Sequence, residues 1–236
     1  MSAQAHIRII ATGGTIAGRG DSPTKAAYTS AQVSADELVL AVPGLDEVAE
    51  ISTETLFSLD SKEMGFSHWR SLAALIDQRL ANANCDGVVV THGTDTLEEA
   101  AWFLDLVGRW HKPVILVGSM RAATALSADG PSNLYQAVSV CADSAAAGRG
   151  VMVVMAADIL SGWRAVKISG QIERQLAGAI FHIDTLHEHR PAVLYHIDKQ
   201  PLLAAGREGL NSHRVTGLIH STVGAQQECL HTFINP

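Results

Sequence analysis

The sequence predicts an α/β fold, a parallel sheet flanked by helices on both faces. Three observations carry this expectation. Short apolar runs bounded by glycine or by turn residues, at 7–11, 88–90, 113–117 and 151–155, look like strands buried on both faces. Stretches with apolar residues at helical spacing alternate with these runs at about the separation of βαβ units. Two of the strands run into turns rich in threonine and glycine, and in open α/β sheets ligands bind at the carboxyl ends of the strands.

The elements follow in chain order. Residues 7–11 give the first strand. Gly13, Gly14, Gly18 and Gly20 then make a turn-rich loop that Pro23 keeps non-helical, with Tyr28 downstream. Residues 34–42 read as a helix, with Ser34 and Glu37 spaced as a capping box and Pro43-Gly44 as the stop. Residues 48–53 suggest a strand, and 56–60 lead to Ser61. Residues 64–80 form an amphipathic helix with Phe66, Trp69, Ala73, Ile76 and Leu80 on one face. The stretch 88–103, VVVTHGTDTLEEAAWF, combines a strand, a turn and the start of a helix over 96–110. Leu97, Ala100, Ala101 and Leu104 share one side of that helix, Asp95 or Thr96 suits its N-cap, and Glu98 and Glu99 fall where the helix dipole favours anions. Residues 113–117 read as a strand, 132–147 as a helix and 151–155 as a strand. Beyond Lys167 the pattern loosens: 179–183 and 192–197 suggest short strands, 199–212 a linker, and 214–220 (RVTGLIH) a further strand.

Bulk properties exclude several classes. The chain has 236 residues and a formal net charge of -7 without a basic stripe, which gives nucleic-acid binding no support. No apolar run approaches the roughly 20 residues that span a bilayer. The segment before the first strand has no charged region followed by an apolar stretch, so a cytoplasmic protein is expected. Cys85, Cys141 and Cys229 are odd in number and far apart, which fits neither a disulfide framework nor a zinc site. His182, His187, His189 and His196 fit no helical pair and no zinc-finger spacing. Neither a metal nor a cofactor is expected.

By itself the 91–96 turn reads equally as ordinary capping. The first strand enters a second turn of the same kind, and the two together carry a resemblance. TGGTIAG at 12–18 with THGTDTLEE at 91–99 resembles the bacterial-type L-asparaginase family, amidohydrolases with a threonine nucleophile. GDSPTKAAYT at 20–29, KPVILVGSMR at 112–121, SADGPSNLY at 127–135 and RGVMVVM at 149–155 extend it over about the first 167 residues. The resemblance implies a Rossmann-like catalytic domain over 1–190, followed at 191–236 by a linker and a truncated start of the second domain.

It also implies roles. Amide hydrolysis needs a nucleophile, a proton shuttle and an oxyanion site, and a threonine hydroxyl is weak without an adjacent base. Thr15 would be the nucleophile and Tyr28 would help activate it. Neutral Lys167 would polarise Thr94, with Asp95 orienting both. Ser61 and Asp95 would hold the substrate's α-carboxylate and α-amine, and backbone N–H groups at Gly93 and Thr94 would serve as oxyanion donors. Without the resemblance, Thr15 reads as a turn cap and Lys167 as a surface lysine. Two departures stand out. Lys62 follows Ser61 where many relatives carry Gln, and the run after Lys167 is Ile168-Ser169-Gly170-Gln171 rather than threonine-rich. The resemblance implies a second domain that lends an acidic residue to a neighbouring subunit's site, and most of that domain is expected to lack a counterpart in these 236 residues. The expected function is an L-asparaginase acting on L-asparagine, with weaker glutaminase activity, as a homo-oligomer. The alternative is a catalytically weak or inactive relative.

Overall fold

The structure is a computed structural model that describes residues 4–23 and 27–168, together with the backbone of 176–177. The strands expected at 179–183, 192–197 and 214–220, the linker at 199–212, the domain boundary near 190, the four trailing histidines and Cys229 lie outside the described residues.

The first strand, β1 (His6–Gly13), is followed by a short 3-10 turn (Thr15–Ala17), by α1 (Ala35–Leu40) and α2 (Leu45–Val48), and by β2 (Glu50–Leu59). A second 3-10 turn (Ser61–Glu63) leads into α3 (Phe66–Leu80), β3 (Gly87–Thr91), α4 (Leu97–Val107), β4 (Val114–Val117), α5 (Gly130–Cys141), β5 (Val151–Met155) and β6 (Asp158–Ser161). Two short strands, β7 (Val166–Lys167) and β8 (Leu176–Ala177), pair with each other. Strands β1 to β6 form one sheet in the order β2-β1-β3-β4-β5-β6. The pairs along it are parallel, except that β6 runs antiparallel to β5.

Strand alternation splits the core into two layers. Ile7, Ile9, Val89 and Ile115 pack with Leu38 of α1, Leu45 of α2, and Leu134 and Val138 of α5. Ile10, Val88, Val90 and Leu116 point the other way, onto Leu72 and Ile76 of α3 and Leu97 and Leu104 of α4. Each fully buried aliphatic side chain contributes roughly 1.5–3 kcal/mol relative to exposure. The central strands are therefore apolar on both faces, as their unbroken valine and isoleucine runs require.

The parallel α/β sheet, the capping box of Ser34 and Glu37, and the buried face of α4 match expectation. Four details differ. β2 runs to Leu59 rather than stopping near 53, because it is an edge strand whose half-exposed residues carry no clean apolar alternation. α2 adds a helical turn beyond the Pro43-Gly44 stop, entered through Gly44 in the left-handed region. α5 starts at Gly130 and ends at Cys141, and the alanine-rich stretch beyond it is a separate 3-10 turn (Ser144–Ala146). β6 was not foreseen. It returns through a two-residue turn with Ala156 and Ala157 at φ 54° and 66°. Hairpin turns of that kind are signalled by Asn-Gly or Asp-Gly, and an alanine pair gives no such signal. Side chains of α5 hold the turn: the Ala156 N–H donates to Asn133 Oδ1 at 3.1 Å and the Ala157 N–H to Gln136 Oε1 at 3.1 Å.

Candidate active site

Three strands bring their carboxyl ends together: β1 through Gly13-Gly14-Thr15, β3 through His92-Gly93-Thr94, and β2 through Asp60-Ser61. Gly14 has φ 79°, and a Cβ on it would lie 2.3 Å from the Gly93 Cα. A Cβ on Gly93 would lie 2.5 Å from Ser61 Oγ. Glycine at both positions lets the β1 and β3 turns touch backbone to backbone and leaves room for the Ser61 side chain against Gly93. The Thr12 hydroxyl ties the first turn to β3 by donating to the Thr91 carbonyl at 2.9 Å.

Thr15 opens the 3-10 turn after Gly14, and its Oγ1 lies 2.7 Å from Tyr28 Oη. Tyr28 reaches it from the glycine-rich loop. Arg19 and Thr29 exchange both backbone hydrogen bonds at 2.9 Å, which closes the loop's base. The Tyr28 ring lies over Gly18, where a Cβ would meet it at 2.7 Å. The loop rests on the 122–126 segment: the Ala123 N–H donates to the Gly18 carbonyl at 2.9 Å, and the Gly20 N–H to Thr124 Oγ1 at 2.9 Å. Tyr28 remains 41% exposed.

A second set forms on the other turn. Lys167 Nζ donates to Thr94 Oγ1 at 3.0 Å and to Asp95 Oδ1 at 2.7 Å. The Lys167 backbone N–H donates to the Glu98 carboxylate. Ser61 is buried, accepts from the Asp95 N–H at 3.2 Å through its hydroxyl oxygen, and accepts from the Thr96 hydroxyl at 2.8 Å through its carbonyl. Thr96 does occupy the N-cap of α4, but its hydroxyl makes no cap bond and instead joins the turn to Ser61. Of the two expected cap residues, the N-cap position is therefore taken by Thr96 and not by Asp95.

The charges around these turns are uneven. His92 is fully buried, and burial pushes its pKa down to about 4, against the pull of its hydrogen bond to the Gly93 carbonyl. The ring is neutral at pH 7, so Nδ1–H donates to that carbonyl at 2.7 Å and Nε2 is left without a hydrogen-bond partner among the described residues. Burial pushes Asp60 up, but its contacts with Lys62 and the Ser30 hydroxyl prevail and hold it below the usual carboxylate range. The same partner raises Lys62, whose Nζ stands 3.1 Å from Asp60 Oδ2. The departure at position 62 thus places an ion-paired cation beside Ser61. Burial raises Glu99, with the negative charges of Glu98 and Asp95 adding to the effect.

The residues singled out from the sequence fall into two hydrogen-bonded groups, Thr15 with Tyr28, and Thr94 with Asp95, Lys167 and Ser61. The groups belong to turns that touch at Gly14 and Gly93. Sequence reasoning gave His92 no role and gave Glu98 only its place in the helix dipole. A buried histidine between a valine strand and a glycine was the signal for the first, and Glu98 had none, because its partner is a backbone N–H remote in sequence. Among the described residues no group of three or more His, Cys, Asp or Glu could hold a metal ion. No described helix is long and apolar enough to cross a membrane.

Comparison with known proteins meets the same turns. Residues 6–177 match the family model described as asparaginase, N-terminal. L-asparaginase 2 of Escherichia coli K12 is 50% identical over 160 residues, 66% of this chain and 44% of that protein. The glutaminase-asparaginase of Pseudomonas aeruginosa PAO1 is 45% identical over 164 residues, 69% of this chain and 45% of that protein. Among solved structures, the probable cytoplasmic L-asparaginase of Campylobacter jejuni superposes with a TM-score of 0.73 at 41% identity, covering 77% of this chain and 57% of that one. The chain thus spans less than half the length of the curated relatives it matches. On the family match, which takes in both threonine turns and most of the chain, it belongs to the asparaginase family through its N-terminal domain.

Proposed function

We propose that this chain is an L-asparaginase that hydrolyses the side-chain amide of L-asparagine by two threonine hydroxyls acting in sequence. The observation that carries the reading is the pair of touching turns, each presenting a threonine with its own proton-handling partner. Thr15 Oγ1 attacks the amide carbon. Tyr28 Oη, both donor and acceptor, takes the Thr15 proton as its own proton passes to the leaving nitrogen, which departs as ammonia. The backbone N–H groups of the Gly93–Thr94 turn receive the oxyanion, a contribution worth about 10²–10³ in rate in enzymes where one such donor has been removed. The acyl group left on Thr15 is released by a water that gives its proton to the Thr94–Lys167 pair, while Asp95 orients the lysine. As the acyl bond breaks, Tyr28 Oη returns its proton to Thr15 Oγ1 and is reprotonated from solvent, the Thr94–Lys167 pair passes the water's proton to solvent, and aspartate leaves.

Ser61 and Asp95 suit the α-carboxylate and α-amine. The Ser61 hydroxyl oxygen already accepts from the Asp95 N–H, so its own proton is available to a carboxylate. Lys62 adds positive charge on that side. Glutaminase activity is the weaker second activity, favoured by the name of the Pseudomonas relative. Self-association and a cytoplasmic place are further parts of the reading. The first rests on the family resemblance and the second on the printed name of the Campylobacter relative.

Purified chain incubated with L-asparagine or L-glutamine and assayed for ammonia tests the proposal. Faster release from asparagine is expected. No release above a buffer blank at high enzyme concentration would favour the inactive alternative.

A further inference from the structure

We propose that Glu98 is a positioning residue that aims Lys167 at Thr94, a role that rests on the assignment of Lys167 above. Lys167 belongs to β7, which lies outside the main sheet and, among the described residues, pairs only with the two residues of β8. Its neighbours Val166 and Ile168 are 49% and 57% exposed, so burial anchors neither side of it. The last buried side chain before it is Ala165. The Lys167 side chain is 21% exposed, but with four rotatable bonds its partial burial does not by itself fix where the ammonium points.

The tether comes from α4. The Glu98 carboxylate accepts the Lys167 backbone N–H. Glu98 lies in the first turn of the helix whose preceding turn carries Thr94 and Asp95. Lys167 therefore meets one rigid unit at three points: its backbone at Glu98, and its Nζ at Thr94 Oγ1 and Asp95 Oδ1. Fixing the Cα against the element that holds its targets restricts the reach of the side chain to the turn.

Only the acceptor matters for this role, so Glu98→Gln, which keeps a carbonyl oxygen at the same reach, retains kcat within about threefold. Glu98→Ala lowers kcat roughly ten- to a hundredfold, as expected when a reacting group is displaced by about 1 Å. KM stays within about twofold, because Glu98 does not touch the substrate. In a Lys167→Met background, Glu98→Ala produces no further loss, since the group it positions is gone. Should Glu98→Ala fail to fold, Glu98→Asp carries the same test: it keeps the helix-dipole charge but draws back from the N–H, and the same kcat loss is expected. Full kcat in the Ala or Asp variant overturns the proposal, as does a Gln variant as impaired as Ala, or an equal loss in both backgrounds. If Lys167→Met itself keeps full activity, the assignment of Lys167 fails and the positioning role falls with it, an outcome distinct from an unaffected Glu98→Ala beside an inactive Lys167→Met.

Discussion

The turn after β1 and the turn after β3 each present a threonine at the top of the sheet, but they are built differently. The first is mostly glycine backbone. Its Thr15 is half-buried, and the hydroxyl's partner, Tyr28, is an exposed side chain brought in by a loop. The second is packed. Thr91, His92 and Thr94 are buried, the His92 N–H donates to the Val117 carbonyl at 2.8 Å, and Ser61 braces Asp95 and Thr96 from the 3-10 turn after β2. One turn offers a hydroxyl whose partner is an exposed side chain borne on a loop, while the other offers a preset network. A loop-borne partner suits the step that needs substrate to enter. A fixed network suits the step that must place a water.

The sharpest way to break the comparison is to delete each hydroxyl. Thr15→Ala and Thr94→Val should each lower kcat by about 10²–10⁴, the range of general acid–base and nucleophilic contributions. The fold should survive in both, since a lost turn hydroxyl costs about 0.5–2 kcal/mol. Far-UV circular dichroism beside the ammonia assay reads both quantities. Unfolding of either variant would mean the threonine is a structural cap.

Next in size is the contact between the turns. Gly14→Ala puts a methyl group 2.3 Å from the Gly93 Cα at a positive φ, and should cost on the order of 3 kcal/mol or more in urea unfolding. A variant as stable as the parent would show that the two turns can part.

The packed turn should also show itself in pH dependence. His92 has a folded-state pKa of about 4, below its ordinary value of 6.5, so the unfolded chain binds the proton more readily. Its contribution is fully present above pH 6.5 and is lost as pH falls towards 4, on the order of 3 kcal/mol at the lower end. Stability of the wild type should therefore fall more steeply over that window than that of His92→Gln. Parallel curves would place the histidine's proton outside the folding equilibrium.

The smallest effect belongs to the far edge of the sheet. Ala157→Gly should raise stability by about 1 kcal/mol or less, because glycine relieves the left-handed φ of 66°. A loss of stability would show that the bonds from α5 already remove the strain.

What could be read from the sequence follows the same division. The central strands β1, β3, β4 and β5 were legible because burial on both faces demands unbroken apolar runs, and the capping box of Ser34 and Glu37 because it is local. Edge features were not. β2 is half-exposed, and the β5–β6 turn uses alanines held by Asn133 and Gln136, which are distant in sequence. At the candidate site, the threonine turns stood out by composition and by resemblance. The role of His92 depends on burial, and the tether from Glu98 to Lys167 spans 69 positions to a backbone group, which no side-chain pattern records.

The most direct test of two hydroxyls with separate duties is intact-protein and peptide mass spectrometry of Lys167→Met rapidly quenched after mixing with L-asparagine. The account predicts a covalent aspartyl adduct on the peptide that contains Thr15, accumulating because its hydrolysis is impaired. An adduct on Thr94, or ammonia release with no adduct on either threonine, would contradict it.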